Sequence, residues 1–498
     1  MESVKLTREN LSRIKKPVSV PGYDRNDLSP SIVHVGMGNF HRAHQAAYLD
    51  ELLEQGLTRS GILGINLIPD SFPLDTILKE QDYLYTLITK SPAGEVKRRI
   101  TGSVMGYMNG SLNRQAALGR MADNGTSLIS LTVTEKGYYY NRKTGEADDH
   151  DPAVQRDLKN PNEPITAAAS LAKALSLRYK NGRKPLTIMS CDNIPSNGHV
   201  LKNCVLFFCR ELCPEIIPWI EDQVSFPCSM VDRITPVTTP ALISELEEHY
   251  GVSDRWPVCG EDFRQWVLED NFKTEVPRYG EAGVQIVKDV EPYELMKMRL
   301  LNGSHCAMAP LSYLLGCRKV DEGIDNPLVK KFIRECFMEE VTPTLSPVPG
   351  IDLAVYKDTL VSRFSNKNIG DTILRLTQDA SSRIPNFIQK SLSDAIRSGA
   401  PHDSLVFAMA AWARFLEGKD EQGQVIPMDD TNGPAVTEAA QKAGAGTDPT
   451  GFLSGLGLRD LSPDQLKQTV EKFRFRLDAI HSRGIRRAVE EFLKNHDE

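Results

Sequence analysis

The chain has no apolar run approaching the ~18 residues that span a bilayer, and no long run of basic residues. Its 59 Lys and Arg against 66 Asp and Glu leave a formal net charge of −7. That balance argues against a nucleic-acid or membrane-surface partner. Nine cysteines, an odd number scattered over 498 residues, make no disulfide framework. Cys204, Cys209 and Cys213 are misspaced for a zinc knuckle, and no histidine pair supports them, so no metal is expected. Neither a G-x-S-x-G elbow nor a phosphate-binding P-loop occurs. Met1 to Lys16 lacks the apolar core of a signal peptide. What these absences leave is a cytoplasmic globular enzyme, long enough for roughly two or three domains.

What is present is organised in two halves. Ser31 to Val35 is a short β-branched run ending in Gly36-Met37-Gly38. Helical spacing follows through Ala43, Ala46, Leu49 and Leu53, and then a second apolar run from Gly61 to Leu67. Strand, glycine turn, helix, strand is a βαβ unit. Ser127–Thr134 and Leu186–Ser190 are further buried-strand candidates, with a helix between them from Ile165 to Tyr179, behind Pro164. Alternation of this kind predicts a largely parallel sheet with both faces covered. From Glu294 onward helical patterns dominate. Ser462-Pro463-Asp464-Gln465 reads as a capped helix start, and Gly444 to Gly457 as a loop. The expected architecture is an α/β Rossmann-like dinucleotide-binding domain over residues 1–290 and a mainly α-helical domain over residues 291–498.

Gly36-x-Gly38 between strand and helix fits the opening of a dinucleotide fingerprint. The first glycine allows the tight turn, and the second lets the backbone approach a pyrophosphate. His41 stands where a third glycine is usual, so an ordinary strand-to-helix turn fits these residues too. Asp70, shortly after the second strand, is the candidate for the adenosine ribose hydroxyls, and would favour NAD over NADP; it is equally a turn residue after Pro69.

The most informative stretch runs from Glu294 to His305. At about 100° per residue, Asn302 lies roughly 140° and His305 roughly 80° around a helix from Lys297. All three then share one side. A desolvated lysine can take a hydroxyl proton, an amide can steady the developing alkoxide, and a histidine can hold the adjacent oxygen. A solvated lysine with two helix polar residues fits the same spacing. Glu294 is either a proton carrier or an i,i+3 partner of Lys297. Tyr293-x-x-x-Lys297 and Tyr139-x-x-x-Lys143 match the short-chain dehydrogenase pair, but the glycine pattern of that class is absent.

Four stretches in order carry a resemblance. They are Lys297-x4-Asn302-x2-His305, Ile32-Val33-His34-Val35-Gly36-Met37-Gly38-Asn39-Phe40-His41-Arg42-Ala43, Leu131 to Tyr138 (Leu-Thr-Val-Thr-Glu-Lys-Gly-Tyr), and Phe226 to Pro236 (Phe-Pro-Cys-Ser-Met-Val-Asp-Arg-Ile-Thr-Pro). Together they resemble the polyol-specific long-chain dehydrogenases over nearly the whole chain. The resemblance implies zinc-independent oxidation of a secondary alcohol by NAD, with D-mannitol going to D-fructose at C2. D-arabinitol oxidation and fructuronate reduction are the alternatives within the family. It also implies a monomer acting on a polyol or ketose. Carried over, Lys297 is the general acid/base, Asn193 and Asn302 are the oxyanion amides, and His305 positions the carbonyl. Asp232 and Arg375 then bind substrate, with Arg383 a weaker match, while Ile32 to Ala43 and Asp70 bind the cofactor.

Overall fold

A computed structural model describes residues 3–69, 73–182, 184–455, 458 and 461–496. The chain divides into two compact units, Met1–Glu291 and Pro292–Glu498.

Six strands organise the first unit: β1 (Ser29–Val35), β2 (Ser60–Asn66), β3 (Val104–Asn109), β4 (Leu128–Leu131), β5 (Leu186–Ser190) and β6 (Val224–Ser225). They lie in the order β6-β5-β4-β1-β2-β3, and every neighbouring pair is parallel. From the opposite edge this is the 3-2-1-4-5-6 order of a doubly wound sheet, in which the winding reverses between β1 and β4 and ligands bind at the carboxyl ends beside that reversal. The strands read as near-continuous apolar runs because both faces are buried. Along β1, Ile32 joins one core while Val33 and Val35 join the other; along β4, Leu128 and Ile129 divide the same way. That is the two-residue period of a strand.

Four helices matter for the site: α1 (Asn39–Ala43), α2 (Gln45–Glu54), α3 (Ala167–Lys180) and α4 (Asn197–Leu212). Sequence spacing predicts one continuous helix from Arg42 to Leu53. Instead the chain breaks at His44, with φ −118° and ψ −86°. The buried His44 ring, its Nε2 2.9 Å from the Gln265 carbonyl oxygen, fixes that kink. Helix α3 starts at Ala167 because Thr166 caps it, accepting from the Ala169 amide at 3.3 Å. Cys204 and Cys209 are core residues of α4, and Cys213 is buried just beyond its end. A smaller sheet pairs β7 (Ser229–Asp232) antiparallel with β8 (Gln265–Glu269).

Beyond Val287 no strand occurs among the described residues. The second unit begins with α5 (Glu291–Met296), whose first residue still belongs to the first unit, and continues through α6 (Gly303–Leu314) and α7 (Asp403–Leu416). Helix α7 is buried on almost every side, as expected of a helix with no polar face. Its N-terminus is satisfied by the buried Glu340 carboxylate, which accepts from the Ser404 and Leu405 amides, an arrangement the helix dipole favours. The last helical stretch, Pro463–His496, opens with a reciprocal capping box. Ser462 Oγ accepts from the Gln465 amide, and Gln465 Oε1 accepts from the Ser462 amide. The glycine-rich Gly444–Gly457 segment is not all loop: Pro449–Gly455 is helical, because Asp448 Oδ1 accepts from the Gly451 amide at 2.7 Å and starts a turn there.

Candidate active site

The turn at the end of β1 is built from the sheet outward. Gly36 has φ +90°, and a Cβ on it would lie 2.2 Å from the Thr132 carbonyl oxygen. Only glycine fits there. The buried His34 links the strands beneath it. Thr132 Oγ1 donates to the Gly36 carbonyl at 2.8 Å, so it accepts from His34 Nε2, and His34 Nδ1 in turn accepts from Ser130 Oγ. Burial pushes the His34 imidazole down to about 3, so the relay is neutral. His41 stacks on His34 with centroids 3.5 Å apart, and burial holds its pKa well below the ordinary histidine value. Arg42 is buried, donating to the Trp256 carbonyl and to Asn39 Oδ1.

Within Ile32–Ala43 the residues that reach solvent are therefore Gly36, Gly38, Asn39 and Phe40, while Ile32, Val33, His34, Val35, Met37, His41, Arg42 and Ala43 are buried support. Gly38 is exposed, and the nearest atom a Cβ there would meet is the Gly36 carbonyl oxygen at 4.0 Å. That opening, at the carboxyl end of the central strand, suits a dinucleotide pyrophosphate. Helix α1 is only five residues long, so the turn offers local N–H groups more than the dipole of a long helix. Asp70 lies outside the described residues. Gly36→Ala is expected to cost ~1–3 kcal/mol from left-handed strain alone, with more from the clash on Thr132. Urea unfolding checks this; an unchanged midpoint would contradict the steric account.

Asn193 sits on the exposed loop between β5 and α4. Sequence reasoning missed what holds it. The buried Asp192 carboxylate accepts from the Val133 amide (3.0 Å), the Thr134 amide (2.9 Å) and the Tyr138 hydroxyl (2.8 Å). It thus joins the loops after β5 and β4, and holds Thr134 at φ +64°. Asn197 closes the other end of the loop, its Nδ2 donating to the Asp192 and Ser229 carbonyls and its Oδ1 accepting from the Ser229 amide. No local signal marks this support: in the sequence Tyr138 stands in the polar stretch 132–143.

Burial raises Asp192 from 3.8 to about 6 against those three donors. A carboxyl raised in the folded state favours folding most below its unfolded pKa, and that contribution is lost as pH rises through the folded one. Asp192→Asn aims an NH₂ group at a donor, at a cost of about 1–3 kcal/mol. It also removes this titration. The stability gap between wild type and variant is therefore expected to shrink from pH 5 to pH 7; a gap that widens would contradict the assignment.

Asp232 ends β7 and is buried. Its neighbour Arg233 is structural: Nε donates to the Glu261 carbonyl at 2.8 Å and Nη1 to the Ala43 carbonyl.

In the second unit, the stretch carrying Lys297 is not the regular α-helix its spacing suggests. Lys297–Asn302 forms a π-helical turn between α5 and α6, and the Gly303 amide reaches back five residues to the Met298 carbonyl. Such turns concentrate at functional sites. A turn closed by i→i+5 bonds brings Asn302 closer to the Lys297 face than the roughly 140° that a regular helix gives. The buried Arg299 holds the turn, donating to the Thr344 carbonyl (2.8 Å) and to Asp394 (2.6 Å). Gly303 lets it approach the Phe387 carbonyl, 3.2 Å from where a Cβ would stand. Lys297 is only 4% exposed and Glu294, three residues earlier, is also buried, so this is no solvated surface lysine. Asn302 is half-buried. The His305 ring, in the first turn of α6, packs on Phe364 with centroids 4.4 Å apart.

Arg375, Arg383 and Tyr293, all singled out in the sequence, each have partners within the second unit. Arg375, 43% exposed, donates to both carboxylate oxygens of Asp371 one turn away. Arg383 donates to the Leu376 and Gln378 carbonyls. Tyr293 is buried with its hydroxyl on the Pro349 carbonyl at 2.8 Å, which removes it as a catalytic phenol.

Comparison with known proteins gives the same division. Residues 30–280 match the mannitol dehydrogenase Rossmann domain and residues 289–480 the mannitol dehydrogenase C-terminal domain. A mannitol 2-dehydrogenase of Phaeosphaeria nodorum is 40% identical over 497 residues, covering 98% of this chain and 86% of that protein. One from Aspergillus oryzae is 39% identical over 508 residues, covering 99% and 100%. Among solved structures, the ternary complex of Pseudomonas fluorescens mannitol 2-dehydrogenase with NAD and D-mannitol superposes with a TM-score of 0.88 at 36% identity, covering 99% of this chain and 100% of that one. A substrate-free D-sorbitol dehydrogenase gives 0.85 at 34%, covering 97% and 100%.

Proposed function

Because the chain belongs to the mannitol dehydrogenase family, we propose that it oxidises D-mannitol at C2 to D-fructose with NAD, and catalyses the reverse reduction. The observation that carries this reading is a lysine buried to 4% exposure on a π-helical turn, in a chain 36% identical to an enzyme solved with NAD and D-mannitol.

NAD would supply the hydride acceptor. The Gly36–Phe40 turn would hold its pyrophosphate, and Asp70 the adenosine ribose. Lys297 Nζ takes the C2 hydroxyl proton as hydride leaves C2, and Glu294 carries that proton onward. The products are fructose, NADH and one proton. Asn193 and Asn302 donate their amide N–H groups to the oxygen as charge develops on it. His305 orients the new carbonyl, and Asp232 accepts from substrate hydroxyls. No metal enters these steps. The chain acts as a monomer in the cytoplasm; among its described residues no helix is long and apolar enough to cross a membrane.

A sugar acid would need a cation for its carboxylate. The two arginines considered for that role are bound to Asp371 and to backbone carbonyls, which favours the neutral polyol over fructuronate. Nicotinamide absorbance with NAD and mannitol, beside arabinitol, sorbitol, NADP, and fructuronate with NADH, tests the choice. Mannitol with NAD is expected to be fastest. Silence with all the polyols but oxidation of NADH by fructuronate would move the substrate to a sugar acid.

A further inference from the structure

One cluster of ligating side chains in the first unit takes no part in this chemistry. His199, Cys228 and Glu269 each place one ligand atom within 4.8 Å of the other two. They are 70 residues apart along the chain at the extremes and no sequence spacing links them, yet three features of the fold build the cluster. Ser229 pairs with Leu268 in the β7–β8 ladder. Cys228 and Glu269 continue that register: the Glu269 amide donates to the Cys228 carbonyl at 3.0 Å. Directly opposed residues of an antiparallel pair present their side chains to one face. The Asn197 amide is clasped to the Ser229 backbone in both directions, at 2.8 and 2.9 Å, pinning the start of α4 to β7. Gly198 makes the approach possible, since a Cβ there would lie 2.4 Å from the Phe226 carbonyl oxygen. His199 follows immediately and comes to Cys228.

We propose that His199, Cys228 and Glu269 form a binding site for a borderline-soft divalent ion of the zinc class, separate from the site of hydride transfer. A thiolate with an imidazole selects such ions over calcium or magnesium. Bonds of ~2.0–2.3 Å in a tetrahedron set ligand atoms roughly 3.5 Å apart, so closure takes about an ångström of side-chain rotation. The Cys228 amide already donates to Glu269 Oε2 at 2.8 Å, which orients the carboxylate and leaves Oε1 for the ion. A supporting bond of this kind is usual at metal sites. Cys228 is buried and Glu269 half-buried, while His199 is exposed, so the fourth position is open to water. Binding replaces the thiol proton: the S–H bond breaks, an S–metal bond forms, and one proton is released. The ion would tie α4, which follows the Asn193 loop, to β7, which ends in Asp232.

The test uses the full chain, stripped of metal with a chelator, kept anaerobic and titrated with Co²⁺. One ion per chain is expected, with a sulfur-to-cobalt charge-transfer band in the near ultraviolet and visible bands of tetrahedral intensity. Zinc should abolish the bands by competition. Cys228→Ser is expected to lose the charge-transfer band, and His199→Gln, at an exposed position, to weaken binding by ~10-fold or more, the scale on which site perturbations act. Cys317→Ser, at the partly exposed cysteine, should change neither. A wild-type chain with no charge-transfer band, a band that survives Cys228→Ser, or an affinity untouched by His199→Gln would each overturn the proposal. None of these readouts depends on mannitol turnover, so the site and the catalytic reading fail separately.

Discussion

Lys297→Ala is expected to lower kcat for mannitol oxidation by roughly 10²–10⁴-fold, the usual contribution of a positioned acid/base, while NADH binding by fluorescence titration stays within a few-fold of wild type. Lys297 is buried within a π-helical turn that Arg299 ties to Thr344 and Asp394. Removing the amine leaves those ties intact, so the loss falls on proton transfer and not on the fold. Added small primary amines should restore part of the rate by occupying the space the side chain vacates. A variant with near-normal turnover would remove the lysine from the mechanism.

The second large effect belongs to the amides. Asn302→Ala and Asn193→Ala are each expected to lower kcat by roughly 10²–10³-fold, about 2.7–4 kcal/mol, as for a single lost oxyanion donor. KM for mannitol should move much less, because the bond strengthens only as charge develops on oxygen. The two positions also differ in a way the structure makes testable. Asn302 rides on the π turn, whereas Asn193 sits on an exposed loop whose placement comes from Asp192 and Asn197. Disturbing Asp192 should therefore reproduce part of the Asn193 loss and none of the Asn302 loss. A rise in KM alone for the two alanine variants would mean that these amides bind substrate without stabilising the transition state.

Much of the first unit was legible in the sequence because its signals are local. A β-branched run beside Gly36-x-Gly38 specifies a strand and a turn on its own, and both-face burial explains why the strands show no alternation of polar and apolar residues. The kink at His44 was not legible, since its cause is a carbonyl at Gln265, far along the chain. The Lys297 stretch was found by residue type but given the wrong pitch: a fixed 100° per residue describes an α-helix, and nothing in Lys297–Asn302 announces the extra residue of a π turn. Arg375 is the converse case. Its sequence permits both a substrate contact and an ion pair, and the fold supplies the ion-pair partner, Asp371, four residues earlier. The supports of the site, His34 with Ser130 and Thr132, and Asp192 with Tyr138, stayed hidden because each is assembled across different strands.

Hydride transfer from C2 of mannitol to NAD is followed most directly with an isotopic label. Mannitol carrying deuterium at C2 and at its symmetry mate C5 is incubated with the chain and NAD, and the NADH is weighed by mass spectrometry. Oxidation at C2 gives NADH heavier by one deuterium, fructose retaining the other, and no transfer from mannitol labelled at C1 and C6. NADH without deuterium from the C2-labelled substrate, or with deuterium drawn from C1, would contradict it.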